Sequence, residues 1–321
     1  MNWVGDDGRL SRRHSLLALA VAAVWGVNFV VIDVGLETFP PLLFVALRFT
    51  LVALPAVFFF KRPPVHWGWI VAIGTFLSFG QFALLFVGLD SGMPAGLASL
   101  VLQLQVLFTV GLAAAVLKEK PTAKQIAGAA VAFAGMTVIA TGRSAAVPLG
   151  ALLLCVAAAG SWAIGNVCSR VAQAPDALAM LVWSSLIPPI PLAALSFATE
   201  DRDEINHALT SFDLSGLLAL LFVVVFATAF GFGAWTSLLR RYEAAKVVPF
   251  ALAVPVFGMG SAWLALDEQP NAAELSGALL VLLGLAVTLS SYRRLSGSLG
   301  RLRLRWKGGH PRAPGRAGRL R

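Results

Sequence analysis

A lone basic residue, Arg48, interrupts the apolar run Pro41-Leu42-Leu43-Phe44-Val45-Ala46-Leu47-Arg48-Phe49. It stands seven residues past Pro41, which on a helix rising about 1.5 Å per residue is roughly 10 Å in from where the run begins. An arginine at the centre of an apolar membrane helix costs about 2.5–3.5 kcal/mol on insertion scales, so such a charge usually has a task. Three readings are open. The guanidinium binds a substrate carboxylate, it forms a structural pair with an acid such as Asp33, or it reaches back to the nearby surface.

Other polar side chains are set in similar surroundings. Trp25 and Asn28 share a helical face with Ile32, as residues three and four apart do, and offer an apolar wall and an amide. Gln81, Gln103, Trp162 and Asn166 are further candidates for lining a binding cavity. Gln103 and Gln105 are two residues apart and point to different faces of a helix; Gln103 is the one expected at the cavity and Gln105 at a neighbouring helix. The same amides serve equally well as interhelical hydrogen bonds. Asp33 is an ion-coupling candidate, with a solvated rim carboxylate as its plainer reading. Small glycines at Gly128, Gly135, Gly277 and Gly284, paired seven apart, permit close helix approach and are read as packing positions.

Catalytic and cofactor motifs are lacking. Gly231-Phe232-Gly233-Ala234-Trp235-Thr236 begins like a dinucleotide fingerprint but has no third glycine and lies in an apolar run. There is neither a phosphate-binding Gly-x-x-x-x-Gly-Lys-Ser/Thr stretch nor His-Glu-x-x-His, so no cofactor or metal is implied. His14, His66, His207 and His310 sit in or beside polar breaks, and Cys155 and Cys168 make no disulfide framework.

The elements that position these residues follow from composition. Hydrophobic residues make up 58% of the 321 and charged residues 13%, with mean hydropathy +0.80. Soluble domains run about 45–50% apolar and about 25% charged, so this chain has too little charge to cover a water-facing surface. A membrane-spanning helix needs about 20 largely apolar residues. Ten such stretches are legible, at 15–36, 41–60, 67–89, 93–117, 123–142, 148–169, 177–198, 214–239, 244–266 and 272–291. The first is too long for a secretory signal peptide and leads directly into further spans.

Of the 25 lysines and arginines, 22 fall in segments on one side of such a ten-span arrangement and 2, Arg143 and Arg202, on the other, with Arg48 inside a span. Basic residues favour the cytoplasmic side, so both termini are expected there, in a cell or inner membrane. Ten of the basic residues lie after Tyr292, in a tail suited to anionic lipid of the inner leaflet or to fixing topology. That concentration, rather than a folded basic face, accounts for the pI near 10.4, and nucleic acid is not an expected partner.

The chain also repeats. A shift of 149 residues carries Glu119 onto Glu268, Pro121 onto Pro270, Gly128 onto Gly277 and Gly135 onto Gly284, with Gly111/Gly260 and Phe108/Phe257 in agreement. Trp25 corresponds to Trp162 with a slightly different shift. Five spans per repeat is odd, so the second half must be inverted relative to the first. Lys118-Glu119-Lys120 facing Asp267-Glu268-Gln269 shows the same corner changing from basic to acidic. Inverted repeats are a recurring transporter architecture with the binding site between the halves. The expected organisation is a segment 1–14, repeats at 15–143 and 144–291, and a tail at 292–321.

Val24-Trp25-Gly26-Val27-Asn28-Phe29-Val30-Val31-Ile32, Pro40-Pro41 leading to Leu47-Arg48-Phe49, Gly92-Met93-Pro94-Ala95-Gly96-Leu97-Ala98-Ser99-Leu100-Val101-Leu102-Gln103 and Arg241-Tyr242-Glu243 resemble the EamA-type transporters of the drug/metabolite transporter superfamily. Within that group the chain looks like the amino-acid metabolite efflux pumps that export cysteine and O-acetylserine. Asp33 departs from them, since such pumps usually carry a lysine there. The resemblance implies an all-α exporter of ten helices, working without ATP on a small-molecule substrate and coupled to an ion gradient. Alternatives are a broader drug or nucleoside-type exporter of the same fold, a passive channel, or a membrane enzyme. The last would need a paired-carboxylate, serine–lysine or metal constellation within the spans. Oligomeric state has no sequence signal.

Overall fold

The computed structural model describes residues 10–142, 147–211, 213–242 and 244–307, with backbone alone for 244, 245 and 291–307. The described residues are helical without strands. Nine helical runs are long and apolar enough to cross a membrane, and a shorter apolar helix, Pro41–Val57, completes ten. In chain order they are α1 (Arg12–Leu36), α2 (Pro41–Val57), α3 (Trp67–Asp90), α4 (Ala95–Val116), α5 (Ala123–Gly142), α6 (Leu149–Ala172), α7 (Ala177–Thr199), α8 (Leu214–Arg241), α9 (Val248–Ala265) and α10 (Ala272–Lys307, crossing as Ala272–Ser290). Much of the segment 1–14 and the end of the basic tail fall outside the described residues.

Boundaries depart from the sequence expectation where proline intervenes. The second span was expected to run to 60, but α2 stops at Val57, two residues past Pro55. A helix-interior proline removes one hydrogen bond and crowds the carbonyl four residues back. Phe58 and Phe59 then stand exposed at 85% and 84%. Inside α7, the helical runs Ala177–Ser184 and Pro189–Thr199 are separated at Ser185–Pro188, where Pro188, Pro189 and Pro191 cluster. The acidic loop after α7 contains a short helix, Arg202–Thr210, capped by Asp201 and burying Ile205 and Ala208. Its nine residues, about two and a half turns, make an amphipathic pattern too brief to stand out in sequence.

The inverted repeat is visible in the backbone. Lys118 and Asp267, 149 residues apart, both adopt φ 55°. The next residue in each case donates its N–H to an equivalent carbonyl, Glu119 to Ala113 and Glu268 to Ala262. Helices α5 and α10 pack along their length through the expected glycines. A Cβ on Gly284 would sit 2.4 Å from the Gly128 carbonyl oxygen, and one on Gly135 would sit 2.6 Å from that of Gly277. Each half also widens its third helix into a π-helical segment, Gly74–Gly80 in α3 and Phe222–Phe230 in α8. Side chains of the opposite half add hydrogen bonds to carbonyls in both wide segments. The Ser161 hydroxyl of α6 donates to the Phe76 carbonyl at 2.7 Å, and the Trp25 indole of α1 donates to the Ala227 carbonyl at 2.9 Å. Phe76 and Ala227 are 151 residues apart, and in both cases the donor comes from the first helix of the opposite half.

Candidate functional site: a cavity between the halves

A cavity of about 500 Å³ lies between the two halves, in the range usual for small-molecule sites. Its wall is assembled from α1, α2, α3, α4, α6, α7, α8, the start of α9 and the last turn of the α10 crossing. Trp25, Asn28, Arg48, Gln81, Gln103, Trp162 and Asn166, separated by up to 141 residues in the chain, all line it. Towards the acidic end of the bundle the space is filled by Phe39, Phe44, Phe86 and Met93, none more than 1% exposed. Towards the basic end the lining continues to Leu181, Trp235 and Val248.

Arg48 is 2% exposed. Its Nη2 donates to the Thr228 hydroxyl at 3.1 Å, and its guanidinium carbon lies 4.0 Å from the centre of the Phe82 ring and 5.6 Å from that of Phe49. Thr228 in turn donates to the Val223 carbonyl, the five-residue spacing of the π-helical segment. A desolvated cation–π contact contributes up to about 2 kcal/mol and a hydrogen bond to a charged group about 1.5–3 kcal/mol. Those gains are comparable with the cost of placing the charge here, but Nε and Nη1 stay buried without a partner. No carboxylate among the described residues lies within ion-pair distance of Arg48; the ion pair present is Arg170–Glu119 at 2.6 Å, near the basic end. The structural pairing of Arg48 with Asp33 is therefore not formed.

Asp33 does not line the cavity. It is near the acidic end, close enough to raise the pKa of Glu268. Glu268 accepts from the Ala95 and Gly96 N–H groups at 2.6 and 3.0 Å, a carboxylate seated at the start of α4. Burial is the main cause that lifts its pKa above the usual carboxylate value, with Asp33 and Glu274 adding repulsion and the two N–H groups opposing. Glu200 does the same for α2, accepting from the N–H groups of Leu42 and Leu43.

The amides are shared between wall and structure. Gln103 donates to the Ala251 carbonyl at 3.0 Å. Asn166 donates to the Gln105 side-chain oxygen at 2.9 Å and lies 3.3 Å from the Thr109 hydroxyl. Gln105, expected at a neighbouring helix, meets one in Asn166 of α6 and lines the cavity as well. The 3₁₀ turn Leu102–Leu104 is the reason: about 120° of rotation per residue sets residues 103 and 105 about 120° apart, where an α-helix would set them about 160° apart. Thr228, Phe82, Ser185 and Trp235 were not singled out in the sequence. Thr228 and Ser185 carry only a hydroxyl, which a helix can satisfy internally, and aromatic residues are common in every span.

Ten helices in two inverted halves around a shared cavity define a multi-pass membrane protein of the carrier class. Residues 13–141 and 149–290 match the EamA-like transporter family, and the chain belongs to that family. It is 43% identical over 290 residues to a probable amino-acid metabolite efflux pump of Salmonella typhimurium, covering 88% of this chain and 97% of that one. To the protein of the same description from Escherichia coli it is 42% identical over 292 residues, with the same coverage. A solved crystal structure matches with TM-score 0.60 at 23% identity, over 89% of this chain and 99% of its own, which supports the fold.

Proposed function

We propose that the protein exports small amino-acid-like metabolites across the cell membrane by alternating access, with both termini in the cytoplasm. The observation that carries this reading is the cavity itself. Residues from both inverted halves converge on one largely apolar site carrying a few polar groups, with buried aromatic side chains towards the acidic end and a lining that continues towards the basic end. With the lysine- and arginine-rich end inside, this is a cavity loaded from the cytoplasm. The relatives described as amino-acid metabolite efflux pumps support the substrate class.

The test is transport. Inverted vesicles from cells overproducing the chain should take up labelled L-cysteine with saturation, above vesicles from cells lacking it, and cells overproducing it should tolerate more external cysteine. Uptake that rises linearly with concentration would indicate a channel. An unchanged profile for every amino acid screened would remove the substrate class.

A further inference from the structure

We infer that the cavity recognises a carboxylate together with a neutral hydrogen-bond donor, and that it does not require a free ammonium group, so that N-acylated amino acids are carried along with the free ones. This rests on the export reading above and concerns which chemical groups of the cargo the site holds.

The inference comes from what the wall leaves unpaired. Among the described residues, the buried side-chain nitrogens and oxygens without a hydrogen-bond partner are Asn28 Oδ1, Arg48 Nε, Arg48 Nη1 and Ser196 Oγ. Three of these four atoms belong to residues that line the cavity. Buried polar groups are normally satisfied, and an orphan in a binding wall marks where a ligand atom completes the bonding. Arg48 leaves N–H groups unpaired on both Nε and Nη1, and a buried guanidinium makes its strongest hydrogen bonds to a carboxylate. Asn28 presents an acceptor, which needs one N–H, O–H or S–H from the cargo and no charge.

Charge supports the same conclusion. Arg48 is the one ionisable side chain among the residues lining the cavity, and no aspartate or glutamate is among them. A site built to grip an ammonium in a dry cavity would be expected to place a carboxylate opposite it. Here the counter-charge is provided for one end of an amino acid only. Acylating the amine removes its charge but keeps one N–H, so the bond to Asn28 survives. Esterifying or removing the carboxyl group takes away the partner of Arg48 and leaves the buried guanidinium alone.

The wild-type protein in inverted vesicles tests this with labelled L-cysteine under reducing conditions. N-acetyl-L-cysteine should compete within about threefold of unlabelled cysteine. Cysteine methyl ester and cysteamine, which keep the amine and lack the carboxylate, should be weaker by about 10- to 100-fold, the usual worth of a hydrogen bond to a charged group. In Arg48→Gln the ratio between cysteine and its methyl ester should fall towards one, whereas a merely structural defect would weaken all competitors in proportion. Competition by cysteamine equal to that of cysteine would overturn the carboxylate subsite, as would full discrimination retained in Arg48→Gln. Failure of N-acetyl-L-cysteine while cysteine is still carried would show that the ammonium has a partner of its own, with the export reading intact. Absence of saturable uptake for cysteine and N-acetylcysteine alike would remove both.

Discussion

Trp25 and Trp162 occupy matching places in the two repeats, yet their side chains have different duties. The Trp25 indole crosses to the opposite half and satisfies the Ala227 carbonyl in the wide turns of α8. In the other repeat that duty falls to Ser161, the residue before Trp162. Both tryptophans face the cavity, but among the described residues the Trp162 indole has no protein hydrogen bond. Trp25→Phe removes a hydrogen bond to the carbonyl of a buried residue, worth about 0.5–1.5 kcal/mol. Trp162→Phe loses ring area alone. In detergent, thermal unfolding should therefore shift down more for Trp25→Phe than for Trp162→Phe. Equal shifts would mean that the indole hydrogen bond contributes nothing measurable. The glycine facing Trp25 belongs to the same small assembly, since a Cβ on Gly231 would meet Trp25 Nε1 at 2.5 Å.

At the level of helices, the repeat contains glycines of two kinds. Gly128, Gly135, Gly277 and Gly284 lie where α5 and α10 touch backbone to backbone. Gly111 and Gly260 are equally well matched between the halves, but an added Cβ meets nothing within 4 Å at either. Gly284→Ala would place its methyl 2.4 Å from the Gly128 oxygen and 2.5 Å from the Ala132 nitrogen, both backbone atoms. The helices must then separate, at about 1–3 kcal/mol for such overpacking. Gly260→Ala meets no obstacle and gains up to about 1 kcal/mol of helix propensity. Unfolding of the purified protein should show a lower midpoint for Gly284→Ala and an unchanged or higher one for Gly260→Ala. A neutral Gly284→Ala would show that the α5–α10 contact is looser than its geometry.

For the whole molecule, the distribution of charge between the two ends predicts orientation. Ser211, exposed beside the short helix Arg202–Thr210, is at the acidic end, and Lys120, exposed after α4, is at the basic end. With Cys155 and Cys168 replaced, a cysteine at Ser211 should react with an impermeant maleimide added to intact cells, and one at Lys120 should react only after the membrane is opened. The reverse pattern would overturn the orientation and with it the direction of loading.

Much of this organisation was legible in the residues alone. Membrane helices are selected one by one by length and apolarity, so composition sets their number, and the displaced Glu119/Glu268 and glycine pairs reveal the inverted repeat. Arg48, Asn28 and the glutamines could be named because a polar side chain in an apolar run is conspicuous by itself. Their assignments needed the fold. Whether Arg48 pairs with Asp33 depends on which helices lie against α2, and the answer, Thr228 and Phe82, comes from positions 180 and 34 residues away. Gln105 reaches the cavity as well as α6 because a 3₁₀ turn changed the angular spacing of α4, and the π-helical segments of α3 and α8 occur where side chains from the opposite half add hydrogen bonds to their carbonyls. Periodicity in a sequence encodes the face of a regular helix. Local unwinding is decided by contacts between helices, and those contacts form only once the bundle is assembled.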